Sequence, residues 1–146
     1  MTRFLDANIF IYAYYKPKKP LAQKERQMKE QAKQIITSIN QGKEQIATTV
    51  VHLSEVVNIL KHGMTTEQLN NLILGLFVQN NITIYGITRE QYLAATELAD
   101  ELRLEPNDAL AVDIMKQNGI NEIYTYDEDF NNAHEITRLP KLQPDQ

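Results

Sequence analysis

The chain contains no cysteine. That excludes a disulfide scaffold, a thiol nucleophile, an iron–sulfur cluster and a cysteine zinc site. Only three histidines occur, His52, His62 and His134, so an all-histidine metal centre is not expected. Long apolar runs are also missing: nothing approaches the ~20 residues of a transmembrane helix. The opening residues Met1-Thr2-Arg3-Phe4-Leu5-Asp6 lack a signal-peptide pattern, so the expected location is the cytoplasm, away from the membrane. There is no internal repeat and no low-complexity segment. What remains is a globular composition, 42% hydrophobic and 23% charged, over 146 residues. That length makes one domain with a sizeable core. Residues 1–146 are read as a single domain, with 140–146 as a poorly ordered tail.

The net charge of −4 hides an asymmetry. The segment 16–33 carries seven bases (Lys16, Lys18, Lys19, Lys24, Arg26, Lys29 and Lys33) against Glu25 and Glu30. The segment 105–129 carries seven acids (Glu105, Asp108, Asp113, Glu122, Asp127, Glu128 and Asp129) against Lys116. One surface for a polyanion and another for a cation suits an enzyme acting on a charged polymer. The basic run alone also reads as a solvated helix face.

Strand and helix patterns alternate. Arg3-Phe4-Leu5-Asp6 reads as a strand that runs into the apolar helix Ile9–Tyr14, which the prolines at 17 and 20 stop. Leu21–Asn40 reads as a helix striped by Met28, Ala32, Ile35, Ile36 and Ile39, closed by Gly42. Gln45–Thr48 is the second strand, and Thr48 or Thr49 caps a helix through Lys61 that Gly63 ends. A helix from Thr65 or Thr66 to about Gln79, a strand Asn81–Tyr85 and a helix from Thr88 to about Arg103 follow. Pro106-Asn107-Asp108 opens another helix, to about Asn118, which Gly119 closes. Glu122–Tyr126 is the fourth strand and Glu135–Arg138 a weak fifth. Strands separated by helices predict an α/β fold with a mainly parallel sheet of 4–5 strands.

Ligands in such sheets bind beyond the carboxyl ends of the strands. Asp6 ends the first strand, Asp127 ends the fourth, and Asp108 sits at a helix start. Carboxylates from three distant segments therefore meet at one sheet edge, and like charges there call for a neutraliser. Oxygen-only ligation without Cys or His suits Mg²⁺ or Mn²⁺. Each acid also has a plainer role open to it. Asp108 or Asn107 serves as an N-cap, and Asp127 and Asp129 as turn residues. Glu55 lies opposite the arc Leu53, Val57 and Leu60 and reads as solvated, although Val51 and Ile59 flank it. Asp113 reads as a solvated residue paired with Lys116. Tyr12, Tyr14 and Tyr15 suit base stacking, a dimer interface or the core. His52 and His62 have no strong claim.

Four segments, taken in order, resemble the PIN-domain ribonucleases, particularly the VapC-type toxins of prokaryotic toxin–antitoxin pairs. They are Phe4-Leu5-Asp6-Ala7-Asn8-Ile9-Phe10, Ser54-Glu55-Val56, Asn107-Asp108-Ala109-Leu110-Ala111 and Thr125-Tyr126-Asp127-Glu128-Asp129-Phe130. The resemblance spans residues 4–130. It implies a three-layer α/β/α fold with Asp6, Glu55, Asp108 and Asp127 as the catalytic, metal-binding acids. It makes Asn8, Thr125 and Asp129 their supporting residues, and it brings Glu55 to the active-site edge. It further implies Mg²⁺- or Mn²⁺-dependent hydrolysis of single-stranded RNA, a homodimer, and a small antitoxin that covers an apolar groove near Tyr12 and Tyr15. Asp113 departs from the pattern, where a small or apolar residue is expected. Lys16, Lys18, Lys19 and Lys24 are candidates for RNA backbone contacts. The rival readings are a housekeeping RNA-processing nuclease and a module that binds RNA or protein without cutting. Haloacid-dehalogenase-like phosphatases fit poorly, because Asp6-Ala7-Asn8 lacks their second aspartate.

Overall fold

Parallel strands need helical crossovers, and the computed structural model, described here for residues 1–141, places helices between most successive strands. The order is β1 (Thr2–Leu5), α1 (Ala7–Tyr14), α2 (Gln23–Asn40), β2 (Gln45–Thr49), α3 (Val50–Leu60) and α4 (Thr66–Val78). It continues with β3 (Ile82–Tyr85), α5 (Arg89–Leu102), α6 (Pro106–Gln117), β4 (Glu122–Tyr124), a 3₁₀ turn (Glu128–Asn132) and β5 (Thr137–Leu139). All five strands pair in parallel, in the order β3-β2-β1-β4-β5. Of the expected tail at 140–146, residues 142–146 lie outside the described residues.

Side chains on a strand alternate between faces, and here each face meets its own helical layer. Leu5, Ile46 and Tyr124 pack with α1, α2, α3 and α4. Phe4, Ala47 and Ile123 point the other way, into α5, α6 and Phe130 of the 3₁₀ turn. Right-handed crossovers explain the division. The chain winds from β1 to β3 in one direction, then crosses back past β1 to β4, so the return helices fall on the opposite face. The result is the three-layer α/β/α architecture the sequence implies.

Local signals set most boundaries. Thr49 caps α3 by accepting from the His52 N–H at 3.2 Å. Thr65 and Thr88 form capping boxes with Gln68 and Gln91. Gly42 and Gly119 follow α2 and α6 at φ of 75° and 67°, which a side chain would resist. The fourth strand ends at Tyr124, two residues earlier than its pattern suggests. The reason is that the Tyr126 N–H is taken by the Asn8 side chain, not by a neighbouring strand. The weak fifth strand is shifted to 137–139. Among the described residues, no helix is long and apolar enough to cross a membrane.

Phe4 is fully buried in the central strand. Phe4→Ala is expected to cost ~3–5 kcal/mol, read by urea unfolding; a loss under ~1 kcal/mol would contradict its place in the core.

Candidate active site

The direction of winding reverses at the boundary between β1 and β4, where Leu5 pairs with Tyr124. A crevice opens at the carboxyl ends of two such strands. Asp6 leaves β1 there, 5% exposed. It caps α1, its Oδ1 accepting from the Ala7 N–H at 2.9 Å, and its Oδ2 accepts from the Thr125 hydroxyl at 2.7 Å. Thr125 follows β4 directly and is fully buried. Its oxygen accepts from Asn8 Nδ2 at 3.1 Å and from the Asp127 N–H at 3.0 Å. A hydroxyl has two acceptor positions and one proton. With both positions filled, the proton is directed to Asp6. Asn8 Oδ1 in turn accepts from the Tyr126 N–H at 3.2 Å, tying α1 to the end of β4. The structure thus brings Asp6, Asn8, Thr125 and Asp127 together.

Asp108 arrives from the other layer. Pro106 occupies the first turn of α6, where its missing N–H costs nothing. Glu105 stands at the N-cap without a side-chain bond. Neither Asn107 nor Asp108 is therefore the cap, and that plainer role is set aside for both. Asp108 lies in the first turn, 7% exposed. Asn107 donates through Nδ2 to Glu55 and accepts at Oδ1 from the Tyr92 hydroxyl.

Glu55 is half-buried, not solvated. The buried residues of α3 are His52, Leu53, Val56 and Leu60. That turns the core arc toward Glu55 relative to the arc Leu53, Val57 and Leu60. His52 accounts for the rotation. It packs edge-on against Phe4, with ring centroids 5.0 Å apart, and its Nδ1 lies 2.7 Å from Thr49 Oγ1. Burial lowers its pKa to about 4, so it is a neutral core residue.

Other expectations fare differently. Asp127 does act as a turn residue, its Oδ1 accepting from the Asp129 N–H at 2.9 Å. Asp129 joins that turn through its backbone, and its side chain is exposed. Asp113 is half-buried and bonds Gln117 at 3.2 Å; Lys116 faces Glu135 at 4.0 Å instead. The Tyr12 ring packs edge-on against Tyr126, whose hydroxyl donates to the Met28 carbonyl at 2.7 Å. Lys29, from the basic segment, caps the end of α1 by donating to the carbonyls of Tyr12 and Tyr15. Lys16 and Lys18 line a cavity of ~130 Å³ with His62 and Met64, beyond the carboxyl end of α3 and away from the acids. Lys19 and Lys24 are exposed.

The acids perturb one another. Burial pushes Asp6 up to about 7, with further repulsion from Glu55 and Asp127, against the opposing bonds from Thr125 and Ala7. Burial pushes Asp108 up to about 8, followed by repulsion from Asp6, Asp127 and Glu105. Burial also raises Glu55, with Glu105 adding and Asn107 opposing. Glu105 is the acid that sequence reasoning did not assign to the site. Its signal was its place immediately before Pro106-Asn107-Asp108. Among the described residues, none of these acids is ion-paired. An all-oxygen donor set with uncompensated buried charge fits a hard divalent cation. Among the described residues, no three acidic or histidine side chains stand at metal-ligand spacing.

Raised carboxyl pKa values mean that the folded chain binds more protons than the unfolded one between pH ~4 and ~8. Metal-free stability is therefore greatest at the acid end of that window and falls as pH rises through about 7 and 8. Asp108→Asn, which mimics the neutral form, is expected to flatten this slope and to melt higher than wild type at pH 8.5. Equal slopes in the two proteins, by thermal melting in EDTA, would contradict the crowding of Asp108.

No protein of curated function matches the sequence significantly. Solved structures do match in fold. VapC20 of Mycobacterium tuberculosis, a sarcin–ricin-loop-cleaving toxin, aligns at a TM-score of 0.65 and 17% identity, over 91% of this chain and 95% of its own. VapBC2 of Rickettsia felis, solved bound to a DNA fragment from its promoter, aligns at 0.61 and 18%, over 95% and 98%. FitAcB of Neisseria gonorrhoeae aligns at 0.57 and 14%, over 96% and 97%. The PIN domain family model matches residues 3–136. That span takes in all three layers and every acid of the crevice, and the chain belongs to the PIN-domain family.

Proposed function

We propose that the chain is a metal-dependent endoribonuclease that hydrolyses single-stranded RNA, and that it is the toxin of a toxin–antitoxin pair. The observation that carries the reading is the crowding of Asp6, Glu55, Asp108 and Asp127 at the β1–β4 crevice, none of them ion-paired among the described residues. These four residues would hold Mg²⁺ or Mn²⁺. Such an ion, when bound, lowers the pKa of its water toward ~7 and offsets charge on the phosphoryl oxygens.

The protein's own part is positioning. Thr125 and the Ala7 N–H hold both oxygens of Asp6, so its carboxylate enters the reaction with a fixed orientation. Asn8 fixes the end of β4 and so the direction in which Asp127 projects. The start of α6 delivers Asp108 from the opposite layer. Water attack on phosphorus with release of the 3′ oxygen leaves a 5′-phosphate and a 3′-hydroxyl, and no 2′-hydroxyl participates. Asp129 has a weaker claim than Asp127, since its side chain points to solvent.

A small antitoxin is the proposed partner. Tyr15 is 46% exposed and divides two small cavities, one lined by Tyr14, Leu60 and Met64, the other by Ile11, Tyr12 and Leu21. A partner helix with two apolar side chains would fill both. The cavity-lining Lys16 and Lys18, together with the exposed Lys19 and Lys24, are left as RNA or partner contacts. A homodimer is proposed by family membership.

Cleavage of an end-labelled single-stranded RNA is expected with Mn²⁺ or Mg²⁺, to be abolished by EDTA, and to fall in Asp6→Asn by at least ~100-fold, the upper end of what losing a residue that only orients a metal ligand costs. Wild-type rates in Asp6→Asn would sink the assignment. A folded wild type free of inhibitor that cuts nothing would favour the non-cutting module. Sedimentation velocity should return twice the 16.8 kDa chain mass at micromolar concentration; a monomer would overturn the dimer. A small protein co-purified from the native host should bind wild type and not Tyr15→Asp, and equal binding to both would remove the groove.

A further inference from the structure

We infer that Tyr92 and Asn107 are positioning residues that hold Glu55 in place through a directional hydrogen-bond relay. The inference rests on the metal-nuclease reading of the site and adds to it two side chains from outside the acid cluster. Three helices contribute, with Glu55 on α3, Tyr92 on α5 and Asn107 on α6. A carboxylate only accepts, so the Asn107 nitrogen must face Glu55. The amide oxygen then faces Tyr92, whose hydroxyl must donate. Reversing the amide would set a carbonyl against a carboxylate, so the relay has one stable orientation.

Its consequence follows from the freedom of the side chains. Glu55 is half-buried and hangs on three rotatable bonds. Among the described residues, Asn107 is the only side chain that donates to it. Among the described residues, Tyr92 is the only side chain that donates to the Asn107 amide oxygen. Asn107 also precedes Asp108, so one dipeptide delivers one acid and orients another. The first turn of α6 and the middle of α3 are thereby locked in register across the crevice. Groups that orient a metal ligand typically change affinity or activity 10–100-fold when removed.

The test is Mn²⁺ binding, read from loss of the free-ion EPR signal, beside the Mn²⁺ dependence of RNA cleavage. Five proteins are compared: wild type, Tyr92→Phe, Asn107→Leu, the double variant and Asp108→Asn. Mn²⁺ dissociation constants are expected to rise ~10-fold in Asn107→Leu and by a smaller factor in Tyr92→Phe. The double variant should bind no more weakly than Asn107→Leu, because Tyr92 acts only through Asn107. Raising Mn²⁺ should restore cleavage in Tyr92→Phe with the KM for RNA unchanged. A merely structural role would lower the melting temperature without moving the Mn²⁺ constant. Tyr92→Phe deletes a single oxygen and keeps the core filled, so it carries the test even if Asn107→Leu does not fold. Wild-type Mn²⁺ affinity in Tyr92→Phe, with binding lost in Asp108→Asn, would overturn the relay alone, as would additive losses in the double variant. Failure of wild type itself to bind Mn²⁺ would overturn the reading of the site and the relay with it.

Discussion

Buried carboxyl groups with no base paired to them among the described residues are the constraint around which this molecule is arranged. Burying a carboxylate is costly unless it is paired or hydrogen-bonded. The chain follows that rule at the opposite edge of its sheet. There Arg3 reaches Glu44 at 2.7 Å and Glu122 at 3.3 Å and also bonds the Tyr124 hydroxyl. At the carboxyl edge no base among the described residues pairs with the acids, although seven bases occur between residues 16 and 33. The chain supplies hydrogen bonds instead, from Thr125, the Ala7 N–H and Asn107. These orient the acids without pairing them to a base, so their oxygens remain available to an external cation.

The supporting scaffold is the price of that arrangement. Each acid is delivered by a different element, namely the start of α1, the middle of α3, the first turn of α6 and the end of β4. Their relative positions depend on two apolar layers that share one sheet. Phe4 and Leu5 stand back to back on β1, each filling one layer, immediately before Asp6. A defect in either layer would move one pair of acids relative to the other. Asp6, Thr125 and Asn8 tie the start of α1 to the end of β4 through hydrogen bonds.

The charge asymmetry has a different meaning in three dimensions than in one. Lys29 serves the architecture by closing the exposed carbonyls of α1, an interaction favoured at the negative end of a helix. Lys16 and Lys18 border the groove beside Tyr15, beyond the far end of α3. Of the basic run, Lys29 ties α2 to the end of α1, Lys16 and Lys18 line a cavity beyond α3, and Lys19, Lys24, Arg26 and Lys33 stand exposed to solvent.

Local chemistry is written in the sequence, and much of the fold was legible from it. Strand alternation, the threonine caps, the prolines after α1 and the glycines after α2 and α6 act within a few residues, so they can be read within a few residues. Asp6 was legible for the same reason, since it stands where the first strand stops; Asp127 was placed at the end of a strand that in fact stops at Tyr124. The resemblance carried in four short segments added the layer order and the membership of Glu55. Tertiary structure alone decided which way α3 faces, since that depends on His52 meeting Phe4 from a distant strand. It alone directed the Thr125 proton to Asp6 and joined Tyr92 to Glu55 through Asn107. Those contacts link residues 15 to 119 positions apart. Sequence periodicity orients a helix about its own axis, and only the packing of one layer on another decides what that axis faces.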